Sequence, residues 1–387
     1  MQAVILAAGE GQRLRPFTVT KPKVMIKVAN RPILEYVIDA LKQAGIFDIV
    51  LVVGYKKERI MDYFGDGKKF DVKIQYAFQK QQLGTAHALK QAEDFIEDEF
   101  IVVPGDNIVD DKTIKLANKP FTIVYKAVEE ISKYGALILR NGKVEKIVEK
   151  PKDEISNIAN TGIYSFDKSV FKEIGDETSL VAVINKMIED GYEFVGVEGG
   201  KWYDIVYPWD ILKVNDLAME FSGKKVGGKI EQNVAIIGDV IVGEGCIVRS
   251  NTYIKGPVII GKNCEIGPNV VILPSTSIGD NTIISPLTLI SNSVIGSGVI
   301  IGSNSNIENS VIDSRTSIAS NCSIMVGDAE INVGEEWHKV NVGAFVGEGC
   351  KIGSNTVLKP GCIVGNFVDI KPLKLLEDMI PDNTKVL

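Results

Sequence analysis

No apolar run in the 387 residues is longer than a strand, no excess of positive charge is present, and only two histidines and five cysteines occur. The first absence leaves nothing for a membrane-spanning helix, which needs about 20 consecutive apolar residues. The opening MQAVILAAGEGQRLRP has no charged region ahead of its short apolar run and is broken early by glycine, so it reads as neither signal peptide nor anchor. A cytoplasmic location without membrane association is the expectation. With 43 Lys and Arg against 50 Asp and Glu, the net charge of −7 argues against a general nucleic-acid binder, which needs basic surface to displace phosphate counterions. A local basic pocket for a small phosphorylated ligand stays compatible with that balance.

What is present is ordinary globular composition, 45% apolar and 24% charged, which is too hydrophobic for a disordered chain. The length exceeds what one core usually serves and predicts two domains. Two rhythms bear this out along the chain. Up to about residue 225, apolar runs at Ala3–Ala7, Ile49–Val53, Val72–Tyr76 and Phe100–Val103 alternate with helical spacing at Pro32–Ala44 and Ala86–Ile96. That alternation predicts a largely parallel sheet flanked by helices.

Beyond the glycine- and lysine-rich stretch Ser222–Lys229 the period becomes six. Val242, Val248, Ile254, Ile260, Ile266, Ile272, Ile278, Ile284 and Ile290 hold one phase, which resumes at Ile295, Ile312 and Val346. Neither a helix nor an alternating strand has this period; a β-helix does, each hexad forming one short side with its aliphatic residue inside and a small or glycine residue at the turn. The reading gives residues 1–225 as one domain, 226–232 as linker, 233–370 as β-helix and 371–387 as a cap, with a helix as one form that cap could take. The segment Val326–Val342 breaks the rhythm and is expected to loop out. Cys246, Cys264, Cys322, Cys350 and Cys362 all stand four residues after an aliphatic anchor. One shared phase favours packing over disulfides or metal binding.

The strongest local motif is LAAGEGQRLRP, Leu6–Pro16, followed by TKPK, Thr20–Lys23. Gly9 and Gly11 let backbone amides approach a phosphate chain, and Arg13 and Lys23 bring the positive charge a triphosphate needs. The pattern fits neither a Walker loop nor a dinucleotide fingerprint. Asp106 follows the run FIVVPG and so lies at the carboxyl end of a strand, where open α/β sheets bind ligands. Together with Asp204, it could hold magnesium, a hard cation that keeps phosphate and water as its other ligands.

In these motifs the sequence resembles the sugar-1-phosphate nucleotidylyltransferases. Leu6–Pro16 with Lys23 is similar to that family's signature, GDN at Gly105–Asn107 and WYD at Trp202–Asp204 to its two metal positions, and EKP at Glu149–Pro151 with NTG at Asn160–Gly162 to its sugar site. Lys27 departs from the pattern, standing where proline is usual. The resemblance implies an α/β, Rossmann-like nucleotidyltransferase domain with a mixed, mainly parallel sheet, followed by a left-handed parallel β-helix. It implies Arg13, Lys23 and Lys150 as catalytic residues, and Leu6, Ala8, Gly9, Gly11, Gln79, Gly84 and Thr85 at the nucleotide. Gly135, Glu149, Asn160 and Thr161 would contact the sugar, and Asp106 and Asp204 would hold Mg2+. The Gln79 amide, both donor and acceptor, matches the imide edge of uracil or thymine, so UTP or dTTP is expected. His87 reads as packed within its helix.

The two-domain plan is also similar to bifunctional enzymes that add a hexapeptide-repeat acetyltransferase. Acetyl transfer usually wants a histidine base, and the β-helix offers only His338, inside the irregular segment. A catalytically inactive scaffold is a third reading; the joint presence of Arg13, Lys23, Asp106, Lys150 and Asp204 speaks against it. Association as a homotrimer, or a multiple of three, is expected through the β-helix.

Overall fold

The computed structural model describes residues 1–151, 153, 155–220, 225–334 and 336–387, so residues 222–224 of the stretch expected to open the second rhythm lie outside the described residues. The chain forms two compact units, one of Met1–Glu10 with Ile33–Asp204 and one of Gly11–Pro32 with Ile205–Leu387. The units therefore follow contacts rather than a single cut near residue 225. The second half of the glycine-rich motif belongs to the same unit as the repeats.

The first unit is built on a nine-stranded sheet. Its strands in chain order are β1 (Gln2–Ala7), β2 (Asp48–Val53), β3 (Lys73–Phe78), β4 (Phe100–Pro104), β6 (Thr122–Ala127), β7 (Gly135–Arg140), β8 (Lys143–Glu149), β9 (Ile158–Phe166) and β10 (Val195–Glu198). A separate two-stranded ladder pairs β5 (Asn107–Val109) with β11 (Trp202–Asp204). The spatial order is β3-β2-β1-β4-β9-β6-β10-β8-β7. The first four are mutually parallel, while β9 runs antiparallel to both its neighbours. β2 reads DIVLVV with all but Asp48 buried, as a parallel strand covered on both faces must. Helix α1 (Ile33–Gln43) buries Ile33, Leu34, Val37, Ile38 and Leu41, an apolar stripe at helical period.

In the second unit, three sheets of nine, nine and eight two- or three-residue strands run the length of a parallel β-helix. Each aliphatic residue pairs with its counterpart one coil on: Val242 with Ile260, Ile260 with Ile278, Ile278 with Ile295. The column they form is closed to solvent, with Ile254, Ile266, Ile272, Ile278, Ile284 and Ile290 all at 0% exposure. Burying one such side chain stabilises by about 1.5–3 kcal/mol, so the stack supplies its own core.

Small and glycine residues stand at the coil turns as expected, and a methyl on Gly243 would fall 2.4 Å from Gly261 O of the next coil. Among the non-glycine corners with positive φ asparagine is the commonest residue, as at Asn251, Asn263, Asn269, Asn281, Asn304, Asn321 and Asn355. Asparagine tolerates this left-handed conformation better than other side chains. The thiols fill a slot behind the corners, where Cys246, Cys264 and Cys350 donate to Gly261 O, Gly279 O and Gly365 O. Thr252, Thr282 and Thr316 make the same contact at other coils, so the slot selects a small donor. All five cysteines are free and buried. Residues 326–342 leave the coil as an antiparallel hairpin of Gly327–Val333 and Glu336–Val342. The cap expected at 371–387 is corrected: the coil continues there, adding Leu375–Leu376, Met379–Ile380 and Lys385–Val386, one strand to each sheet. Leu376 stands six residues after Ile370 and is only 6% exposed, so the hexad phase had not ended.

Candidate active site

Carboxyl ends of the central strands gather the polar motifs of the first unit. Leu6 is in register with Pro104, and Gly105 N donates to Leu6 O at 2.9 Å, which sets Asp106 beside the end of β1. β11 returns antiparallel to β5 with Asp204 opposite Asn107, one residue from Asp106. Both aspartates are partly exposed. Asn107 is 4% exposed; oriented as its neighbours require, its amide nitrogen donates to an Asp106 carboxylate oxygen at 3.2 Å and its oxygen accepts from Trp202 Nε1 at 3.2 Å. The donor set fits a divalent cation of the magnesium type: two carboxylates, with no third His, Cys, Asp or Glu grouped with them among the described residues. Asn107 and Trp202 are the supporting residues that motif reading missed, although both lie inside the GDN and WYD triplets.

Trp202 also joins this ladder to the EKP segment. Its ring meets Tyr134 edge-on at 5.2 Å between centroids, and Tyr134 O accepts from Lys150 N at 3.1 Å. Lys150 is exposed and adopts φ +40°, a conformation that costs a non-glycine residue roughly 1–3 kcal/mol and concentrates at functional sites.

Three of the four expected sugar residues come together. Glu149 is paired with Gly135 across β7 and β8, and a methyl on Gly135 would stand 3.6 Å from both the Glu149 carboxyl carbon and Asn160 Cβ. Asn160 donates to the Tyr164 hydroxyl at 2.6 Å and accepts from Gly162 N at 3.1 Å, so its amide is held in one orientation. Tyr164 is buried, and burial pushes its pKa well above the usual phenol range, which keeps it a neutral partner. Thr161, the fourth, turns the other way. Thr161 is 3% exposed with its hydroxyl donated to Val124 O at 2.6 Å, because a bulge in β9 between Asn160 and Ile163 turns it into the sheet.

In the segment expected to contact the base, the polar groups of Gln79 and Thr85 are engaged within the protein. Gln79 is 4% exposed; its Nε2 donates to Gly84 O at 2.9 Å and lies 3.0 Å from His87 Nδ1. The donor end of the amide thus shapes the loop 79–84, and His87 is hydrogen-bonded there as expected of a packed residue. Gly84 has φ +142°, and a methyl on it would fall 2.3 Å from Thr178 O, so no other residue fits. The Thr85 hydroxyl accepts from Leu180 N at 2.9 Å, pinning helix α2 (Thr85–Lys90) to the start of the helix Leu180–Glu189. At Ala8 the chain is buried, whereas a methyl on Gly9 would meet nothing within 4 Å.

Gly11, Arg13 and Lys23 belong to the second unit. Gly11 is left-handed at φ +75°, and its Cα packs so tightly against Lys23 that an added methyl would lie 2.8 Å from Lys23 Cβ. The Thr18 hydroxyl donates to Gly11 O at 2.9 Å. Arg13 is exposed in the short turn Gln12–Leu14. Its charge acts on Tyr207, whose pKa burial and the bond to Glu336 raise while Arg13 pulls the other way. His338 packs against Tyr207 and Trp209 at centroid distances of 4.3 and 5.3 Å, rather than standing in solvent.

A mixed α/β sheet with carboxylates at the ends of neighbouring strands, together with a parallel β-helix, defines the class of protein. A nucleotidyl transferase model matches residues 2–220, and a GMPPB C-terminal domain model matches residues 254–339. The chain belongs to the nucleotidyl transferase family. It is 39% identical over 263 residues to a bifunctional protein GlmU of Methanococcus maripaludis, a match covering 65% of this chain and 62% of that one. A glucose-1-phosphate thymidylyltransferase of Streptomyces griseus is 33% identical, with 65% of this chain and 75% of that protein covered. Among solved structures, a Bacillus anthracis protein named as a glucose-1-phosphate thymidylyltransferase superposes with a TM-score of 0.54 at 30% identity, over 58% of this chain and 98% of its own. No helix among the described residues is long and apolar enough to cross a membrane.

Proposed function

We propose that this chain transfers a nucleoside monophosphate from UTP or dTTP to a sugar-1-phosphate, either glucose-1-phosphate or N-acetylglucosamine-1-phosphate, and releases pyrophosphate. The observation that carries the reading is the shared support of two neighbouring features: Trp202 braces the strand of Asp204 and, through Tyr134, the backbone of Lys150. Asp106 and Asp204, read as the metal ligands, and Lys150, read as the sugar-phosphate lysine, belong to one unit. A phosphate oxygen of the sugar phosphate attacks the α-phosphorus, and the bond to the bridging oxygen of pyrophosphate breaks. Mg2+ held by Asp106 and Asp204 would neutralise phosphate charge during this step. Lys150 orients the sugar phosphate, Glu149, Asn160 and Gly135 face the sugar hydroxyls, and Arg13 and Lys23 serve the triphosphate.

Catalysis on this scheme rests on holding two anions together and on charge stabilisation, with no covalent intermediate. The names of the relatives support it, since two of them denote sugar nucleotide chemistry. Packing of His338 against two aromatic rings gives no support to a free acetyl-transfer base. The test incubates the pure protein with magnesium, each common nucleoside triphosphate and a panel of sugar phosphates, following pyrophosphate. Release with a pyrimidine nucleotide and loss in Asp106→Asn are expected; release that survives in that variant removes the metal assignment. A homotrimer, or a multiple of three, is also proposed through the β-helix, and a monomer mass by light scattering refutes it.

A further inference from the structure

The loop that carries Arg13 and Lys23 is held to the β-helix at three points by buried polar groups. Asn366, at 0% exposure, donates to Pro16 O at 2.9 Å and accepts from Glu348 N at 2.9 Å. Lys21 Nζ reaches both oxygens of Asp313, at 2.7 and 2.6 Å, with the aspartate side chain 9% exposed. Asn215, in the helix Asp210–Met219 and also at 0%, bridges the loop to the coil: it accepts from Ala29 N at 2.8 Å and from the Ser277 hydroxyl at 2.7 Å, and donates to Ser275 O at 3.0 Å. Asn30 adds a bond to Ile278 O at 2.7 Å.

The chemistry of these contacts matters more than their number. Burying a carboxylate, an ammonium group and two amides is costly unless every partner is in place, and an apolar patch would bind a loop at lower cost. Hydrogen-bonded groups of this kind fix one geometry. The anchors at Pro16, Lys21 and Ala29–Asn30 bracket Lys23, and the Gly11 contacts with Lys23 and Thr18 carry the same constraint back to the turn of Arg13.

We propose that the β-helix is a positioning element for nucleotidyl transfer, with Asn366, Asp313 and Asn215 as positioning residues that act through the loop Gly11–Pro32. The inference rests on the transfer reading above and extends it: the repeats serve the reaction within a single chain, apart from any role in assembly. A misplacement of about 1 Å in a catalytic group can lower the rate up to about a hundredfold, so loosening this loop has a measurable consequence.

The test uses the full chain with Asn366→Asp, Asp313→Asn, Lys21→Met and the double variant of the last two. Steady-state constants for each substrate, the melting temperature, and trypsin cleavage at Arg13–Leu14 and Lys23–Val24 are measured. The expected result is a fall in kcat/KM for the nucleoside triphosphate of about tenfold or more, an unchanged KM for the sugar phosphate, and faster cleavage at both bonds. The double variant should be no worse than the poorer single one, because both remove the same contact. Lys21→Met alters the loop side alone and decides the matter if a β-helix variant melts early. Variants within about twofold of the native chain, with cleavage unchanged, overturn the proposal while leaving the transfer reading intact. A native chain that releases no pyrophosphate with any substrate pair overturns the transfer reading itself.

Discussion

The two units reach stability by opposite routes. In the β-helix the partner of Ile260 is the equivalent residue one coil on, and a hexad period that pauses and resumes marks the residues of one column. In the α/β unit no strand repeats another. β1 lies between strands that begin at residues 48 and 100, and the segments that carry Asp106 and Asp204 are brought side by side only by a ladder formed across some hundred residues. The comparison teaches that periodic sequence reports architecture well and chemistry poorly, whereas short irregular motifs do the reverse.

The largest expected effects separate chemistry from stability. Arg13→Ala should lower the rate of pyrophosphate release on the order of a thousandfold, with the melting temperature nearly unchanged, since the side chain is exposed. A melting shift as large as that of a core variant would assign Arg13 to structure instead.

Next in size is the contrast within one strand of the β-helix. Ile284→Ala removes a side chain at 0% exposure and should cost about 2–5 kcal/mol, whereas Ile283→Ala, at 41% exposure, should change stability by no more than about 0.5 kcal/mol. Equal losses in denaturant titrations would show that the column is not the core.

Gly84→Ala tests the irregular unit in the same way. The added methyl would meet Thr178 O at 2.3 Å from a positive-φ backbone, so a loss of roughly 1–3 kcal/mol is expected, together with a raised KM for the nucleotide. Glycine here is needed for shape, and a neutral substitution would refute that.

The smallest effect concerns the thiols. Burial pushes Cys350 up to about 11 and Cys362 up to about 12, from an ordinary value of 9.0. The native state therefore keeps protons that the unfolded chain releases, and stability is full below about pH 9 and declines as pH rises toward 11 to 12. Native thiols should react slowly with alkylating reagents at pH 8, and a Cys350→Ser, Cys362→Ser variant should flatten the alkaline limb of the stability curve.

Reading the residues alone located four of the nine strands in the main sheet of the first unit, the hexad column, the packing role of the cysteines and the place of Asp106 at a strand end. It did not anticipate the inward turn of Thr161, since a bulge is decided by how β9 meets β6, nor the bracing by Asn107, Trp202 and Tyr164. Asparagine at the corners was visible as composition, but its spacing means a left-handed turn only once the coil geometry is known. The tail was misjudged because its exposed Leu373, Leu375 and Met379 obscure the single inward Leu376.

By itself the sequence determined the β-helix and the chemical types available at the site, because a hexad period and a glycine-flanked motif are local properties of the chain. Only the tertiary structure decided that residues 11–32 pack with the repeats, that the Gln79 amide shapes its own loop, and that Asn160 is locked by Tyr164. Those outcomes depend on satisfying buried polar groups between positions far apart in the chain, and such pairings leave no periodic trace in the sequence.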